Sequence, residues 1–194
     1  MVTTGFSKPY VAKYSNTSGT TSYTGGILLG RGVNFSLEPE VAEDNDFYAD
    51  NIVAETGGAQ FLRGTATITV DGLEPEAATL ILGLGATYKE GEVTLQGYGE
   101  MNAPYVGYGH VRRTQMNGVV KYWPVVHPKI RFSIPNENAE TQEDQINWQT
   151  QELTASVLRD STAAGYWKIT TPEGYDTEAE AEAVVKTLLD IATE

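Results

Sequence analysis

Polar and apolar residues alternate along four separate stretches of the chain. Val33, Phe35 and Leu37 alternate with Asn34, Ser36 and Glu38; Ala66, Ile68 and Val70 with Thr65, Thr67 and Thr69. Ile130, Phe132 and Ile134 alternate with Lys129, Arg131 and Ser133; Leu153, Ala155 and Val157 with Glu152, Thr154 and Ser156. A period of two sends successive side chains to opposite faces of a strand. Four such strands predict a sheet with one face on a core and the other in water. Further strands are predicted over 9–14, 27–29, 105–113, 119–126 and 166–170. Asn117-Gly118 sits between two of these runs and supplies the positive φ angles of a two-residue hairpin turn.

The period changes to that of a helix twice. Over 74–84, Pro75 lies in the first turn, where a missing N–H costs nothing, and Gly83 and Gly85 offer the stop. Ala77, Leu80, Ile81 and Leu84 make one face, but Ala78 and Leu82 lie off it and are apolar too. A helix apolar nearly all round must be covered on more than one side, by a loop of the same chain or by a neighbouring subunit. The second helix is predicted over 178–192. Thr177 and Glu180 have capping-box spacing, and Glu178, Glu180 and Glu182 lie at the positive end of the helix dipole. Val184, Val185, Leu188, Leu189 and Ile191 form the stripe by which it docks on the rest of the chain.

No linker or repeat divides the sequence, so residues 1–194 are read as one domain, with the polar stretch 15–26 and the glycine-rich stretch 91–104 as loops within it. No basic start runs into an apolar segment, and no window approaches 18 apolar residues, so neither a signal peptide nor a membrane span is expected. The formal charge is −13, from 13 Lys and Arg against 26 Asp and Glu. That balance argues against a protein that grips nucleic acid, which needs clustered cations on phosphates.

Candidate chemistry is sparse. Cysteine is absent, which removes disulfides, thiolate metal sites and cysteine nucleophiles. The histidines are His110 and His127, both in predicted strands, and no G-x-S-x-G elbow accompanies them. No phosphate-binding glycine loop occurs. The acidic run Glu43-Asp44-Asn45-Asp46, with Asp50 nearby, lacks the glycine and the terminal glutamate of a calcium loop. No catalytic residue, cofactor site or metal site is therefore assigned. Trp123, Trp148 and Trp167 fall in or beside predicted strands, where aromatics are favoured anyway. The residues by themselves leave open a carbohydrate-binding β-sandwich that uses surface Tyr and Trp, and a hydrolase that uses His110 or His127.

Four segments in order carry a resemblance. They are Gly5-Phe6-Ser7-Lys8-Pro9-Tyr10-Val11-Ala12-Lys13-Tyr14; Leu37-Glu38-Pro39-Glu40-Val41 followed by Phe47-Tyr48-Ala49-Asp50-Asn51; Ala103-Pro104-Tyr105-Val106-Gly107-Tyr108-Gly109; and Lys129-Ile130-Arg131-Phe132-Ser133-Ile134-Pro135 with Thr141-Gln142 and Ile146-Asn147-Trp148-Gln149-Thr150 after it. Together they resemble the major tail tube proteins of long, non-contractile-tailed phages, over the span from Met1 to Trp167.

The resemblance implies a mainly-β fold: a β-sandwich or partly rolled sheet with a flanking helix and a short C-terminal helix. It implies a structural virion protein without catalysis or cofactor, assembled in the host cytoplasm into stacked hexameric rings. Its partners would be further copies of itself and other tail proteins such as the tape measure and the terminator, with DNA passing through unbound. Four strands per subunit give about 24 per ring; at about 4.8 Å spacing and roughly 40° tilt the barrel is about 48 Å across at the backbone, wide enough for a duplex. The face lining the channel would carry Asn34, Ser36, Glu38, Thr65, Thr67, Thr69, Lys129, Arg131, Ser133, Glu152, Thr154 and Ser156. Subunit or ring contacts would fall on Asp44, Asp46, Phe47, Tyr48 and Asp50 in the loop and on Leu80 and Leu82 of the helix. A solvated sheet face of a monomer would show the same alternation.

Overall fold

Alternation, turn chemistry and two capped helices produce a mainly-β chain. The computed structural model describes residues 1–43, 46–58, 60–85, 87–98, 102–137 and 149–192. In chain order the strands and helices are β1 (Val2–Thr17), β2 (Thr20–Leu28), β3 (Gly32–Val41), β4 (Asp46–Ala49), β5 (Ile52–Thr56), β6 (Phe61–Val70), α1 (Pro75–Leu82), β7 (Tyr88–Glu90), β8 (Val93–Leu95), β9 (Val106–Met116), β10 (Val119–Phe132), β11 (Gln151–Leu158), β12 (Ile169–Thr170) and α2 (Glu178–Leu188). One large antiparallel sheet runs β2-β1-β9-β10-β11-β6-β3, with β12 beside β10. The pairs β4-β5 and β7-β8 are separate two-stranded hairpins.

The sheet rolls until β3 reaches β1. The two strands touch through Phe6 and Phe35, whose ring centroids are 6.0 Å apart, yet no ladder joins them. The inner face of the roll is the main core: Val11, Leu29, Ile68, Val106, Tyr108, Ile130, Leu153 and Val157, together with Ala77, Ile81 and Leu82 of α1. The opposite face of β1, β9 and β10 carries Tyr10, Ala12, Val111 and Val126, and α2 covers it with Ala181, Val185 and Leu189. Burying Val185 and Leu189 alone is worth roughly 3–6 kcal/mol, enough to hold a terminal helix.

Local chemistry sets the ends. Asn117 and Gly118 take φ of 50° and 82°, and Met116 pairs with Val119 across the turn, as the dipeptide predicts. Gly83 caps α1 in the left-handed region at φ 65°. Both bonds of the Thr177/Glu180 capping box form. The runs predicted at 119–126 and 129–134 join as the single strand β10. A register shift between His127 and Ile130 places Pro128 at an irregularity, where its missing N–H interrupts no regular ladder. That shift changes the side-chain phase. His127 points inward, and beyond it Ile130 and Phe132 point inward while Lys129 and Arg131 point out.

Several expectations need correction. The stretch 15–26 is the hairpin of β1 and β2, turned at Ser18-Gly19 with φ of 52° and 83°, and not a loop. Helix α1 buries Ala77, Ala78, Ile81 and Leu82, whereas Leu80 and Leu84 are only half-buried, so its inward face is rotated from the one expected. Helix α2 ends at Leu188 rather than at 192, and Ala181, absent from the expected stripe, is fully buried in its contact.

Candidate functional site

The alternating stretches meet as four neighbouring strands, β10-β11-β6-β3. Their polar side chains align in rows across the strands. Glu38 pairs with Thr65, Thr65 with Ser156, and Ser156 with Arg131. Ser36 pairs with Thr67 and Thr67 with Thr154, whose carbonyl accepts the Ser133 N–H at 2.8 Å. Asn34 pairs with Thr69 and Thr69 with Glu152. Every one of these side chains is exposed or half-buried, while Ala66, Ile68, Leu153, Ala155 and Val157 between them are buried on the other face. Of the outer surface of this one sheet, the half formed by β1, β9 and the first part of β10 is apolar and lies under α2. The half formed by β11, β6, β3 and the end of β10 is hydroxyl-rich and bare.

Charge on the bare half is balanced and tethered. Lys129 and Arg131 are matched by Glu38 and Glu152, and the same phase continues into the Arg63–Glu40 ion pair at 2.5 Å. Lys129 Nζ lies 4.6 Å from the centre of the Tyr105 ring and 5.4 Å from that of Tyr14, and it donates to Ser161 Oγ at 2.8 Å. The Arg131 guanidinium is 5.8 Å from the centre of the same Tyr105 ring. Aromatic faces thus lie within cation–π range of both cations. Asp160 anchors this edge, accepting from Tyr14 Oη and Thr21 Oγ1 at 2.8 Å each. Burial pushes its carboxyl up, but hydrogen bonds from Thr21, Tyr14, Thr162 and the Ser161 N–H outweigh that and leave it below the ordinary carboxylate value.

The expected contact residues separate. Leu80 is half-buried and lines an open groove with Leu84, Lys13, Tyr105 and Arg131. Leu82 is only 2% exposed and belongs to the core, so it cannot present a contact surface; being one residue on from Ile81, it turns inward with it. Asp46, Phe47 and Tyr48 lie on β4, and Asp50 is exposed in the turn to β5 at φ 50°. Asp44 and Trp148 lie outside the described residues.

Sequence reasoning missed Tyr105, the platform for both cations, and the glycines under α2. A Cβ at Gly109 would stand 2.6 Å from Val185 Cγ1, and one at Gly107 would stand 2.4 Å from Tyr23 Cε1 and 2.7 Å from Leu189 Cδ2. Glycine inside a strand is the available signal of such a close approach. His110 and His127 are both buried in the roll. Trp123 donates to Thr114 Oγ1 at 2.9 Å, and Trp167 stacks on Phe61 at 4.5 Å between centroids. Among the described residues no helix is long and apolar enough to cross a membrane.

No protein-family model matches the chain, and no curated protein matches it in sequence.

Proposed function

We propose that this protein is a phage tail tube subunit, a structural virion protein whose copies join side by side into hexameric rings that stack into the conduit for DNA. One observation carries the reading: a four-stranded, hydroxyl-rich sheet face with balanced charge stays bare, while α2 covers the apolar remainder of the same outer surface. A channel wall must not hold its cargo. DNA presents about one negative charge per 1.7 Å, and a lining of free cations would brake it at many phosphates. Short hydroxyls and tethered cations avoid this. Joining copies along the open edge of β3 also removes a row of unpaired backbone groups that invites uncontrolled association. The half-buried Leu80 in its groove and the β4-β5 hairpin are the contacts this assembly would use.

The carbohydrate-binding alternative loses support from Trp123 and Trp167, which are engaged inside the chain, and rests on exposed Tyr88, Tyr98, Tyr105 and Tyr166. Electron microscopy of the expressed protein and of its parent particle tests the proposal. Rings or tubes built from this chain are the expected result. A chain that stays monomeric at high concentration, and is missing from the tails of the particles, overturns it.

A further inference from the structure

Phe35 on edge strand β3 is the centre of a ring cluster that closes the roll. Its centroid lies 4.4 Å from His110, 5.7 Å from Tyr108, 5.7 Å from His127 and 6.0 Å from Phe6. No backbone ladder spans this seam between β3 and β1, so side chains alone hold it. Gly32 makes the approach possible, since a Cβ there would meet Phe6 Cε1 at 2.4 Å.

Two of the rings are imidazoles, and both are buried: His110 is 3% and His127 1% exposed. His127 Nδ1 is 3.1 Å from the Trp167 carbonyl. A carbonyl only accepts, so that nitrogen carries the hydrogen and Nε2 of the neutral ring is bare. Among the described residues, His127 Nε2, His110 Nδ1 and Tyr108 Oη have no hydrogen-bond partner. Burial pushes His127 down to about 4, with Lys168 adding to the effect and the Trp167 carbonyl opposing it. Burial also pushes His110 well below the ordinary imidazole value, reinforced by His127, Arg112 and Lys168. The charges that reach the rings from β9 and from the segment before β12 are therefore cations; β3 and β1 contribute Phe35 and Phe6, and α1 contributes Ala77, Ile81 and Leu82 to the surrounding core. An imidazolium here would have a proton with no acceptor. Attraction to aromatic faces does not replace the lost water.

We propose that the Phe35–His110–His127–Tyr108 cluster is an acid-responsive latch: with both imidazoles neutral it holds β3 against β9 and β10, and protonation of either ring expels Phe35 and parts β3 from β1. The latch is a property of the single chain and does not depend on the tube. The strand it releases is nonetheless the open edge of the hydroxyl-rich face, so acid would dismantle the surface along which copies could join.

The absence of cysteine permits a direct test. Thr4→Cys and Val33→Cys place spin labels at exposed positions on β1 and β3. One short distance is expected at pH 7. A longer population should then grow by up to about tenfold per pH unit between 6.5 and 4 and disappear on neutralisation. His110→Phe with His127→Gln, whose amide can still donate to the Trp167 carbonyl, should keep the short distance across that range. Phe35→Leu should show the long population already at pH 7. The latch is refuted by a distance that does not change from pH 7 to 4, by equal opening in the doubly substituted chain, or by a Phe35→Leu chain as closed as the parent.

Discussion

Glu38 and Arg131 stand at opposite ends of one row of side chains, Glu38–Thr65–Ser156–Arg131, that crosses four neighbouring strands. Three strand spacings set them about 14 Å apart, too far to pair within one copy. In the proposed ring of side-by-side copies the acidic end of one row would come next to the basic end of the row in the following copy.

Reversing either charge would therefore put like charges at every boundary of that ring. Glu38→Lys or Arg131→Glu alone should leave the melting temperature of the monomer nearly unchanged, since both side chains are exposed. Each should reduce the fraction of protein that sediments as tubes, at a cost on the order of 0.5–1 kcal/mol per boundary. The two reversals together should restore assembly. Assembly that responds to neither single reversal would mean that these row ends do not meet.

Gly109 predicts a coupling between sheet and terminal helix. Gly109→Ala places a methyl 2.6 Å from Val185 Cγ1 and 3.2 Å from Leu189 Cδ1, and the helix must shift to admit it. The expected loss is about 1–3 kcal/mol in urea denaturation. Val185→Ala opens the space, so the double substitution should cost clearly less than the two single costs added together. Simple additivity would place the contact elsewhere.

The bare face was legible from the sequence because each of its strands sets hydroxyl or charged residues against small and branched apolar ones. Tyr108, His110 and Val111 carry no such contrast, because this part of β9 is covered on both faces and Tyr108 and His110 are buried as Val111 is. Helix α1 misled for a related reason. With apolar residues nearly all round, its sequence does not single out the face on which Ala78 and Leu82 turn inward while Leu80 and Leu84 face the groove. The seam at Phe35 joins strands β1 and β3 that are neighbours in the roll without a ladder between them, and such a contact leaves no periodic trace. The stretch 15–26 was misassigned because its strand is rich in Thr, Ser, Tyr and Gly, residues that also build loops.

Asp160 supplies a pH prediction. Its carboxyl is lower in the folded chain than the ordinary value of 3.8. A group lowered on folding stabilises the native state above its unfolded value, and the contribution fades as the pH falls through its native one. Asp160→Asn should therefore be less stable than the parent at neutral pH, on the order of 1 kcal/mol for a partly exposed hydrogen-bonded carboxylate. The gap should narrow below pH 3.8. Thermal melts of both proteins at pH 7 and pH 3 measure it; a gap that is the same at both would assign the loss to shape and not to charge.

Thr67 and Thr154 are cross-strand partners in the middle of the bare face. Thr67→Lys and Thr154→Lys extend that face by long cations with no Tyr105 beneath them, unlike Lys129 and Arg131. Because the positions are half-buried and exposed, each substitution should cost under about 1 kcal/mol in the monomer. Any larger loss would mean that the face packs against something within the chain. In an assembled tube the same change repeats in every copy of every ring, and each added cation offers a phosphate contact that releases counterions from DNA. Particles built from either variant should eject DNA more slowly than the parent at low salt, and raising the salt should restore the rate. Thr67→Glu should show no such braking. Ejection equally slow with lysine and glutamate would point to altered tube geometry, and ejection unaffected by either would remove this face from the channel wall.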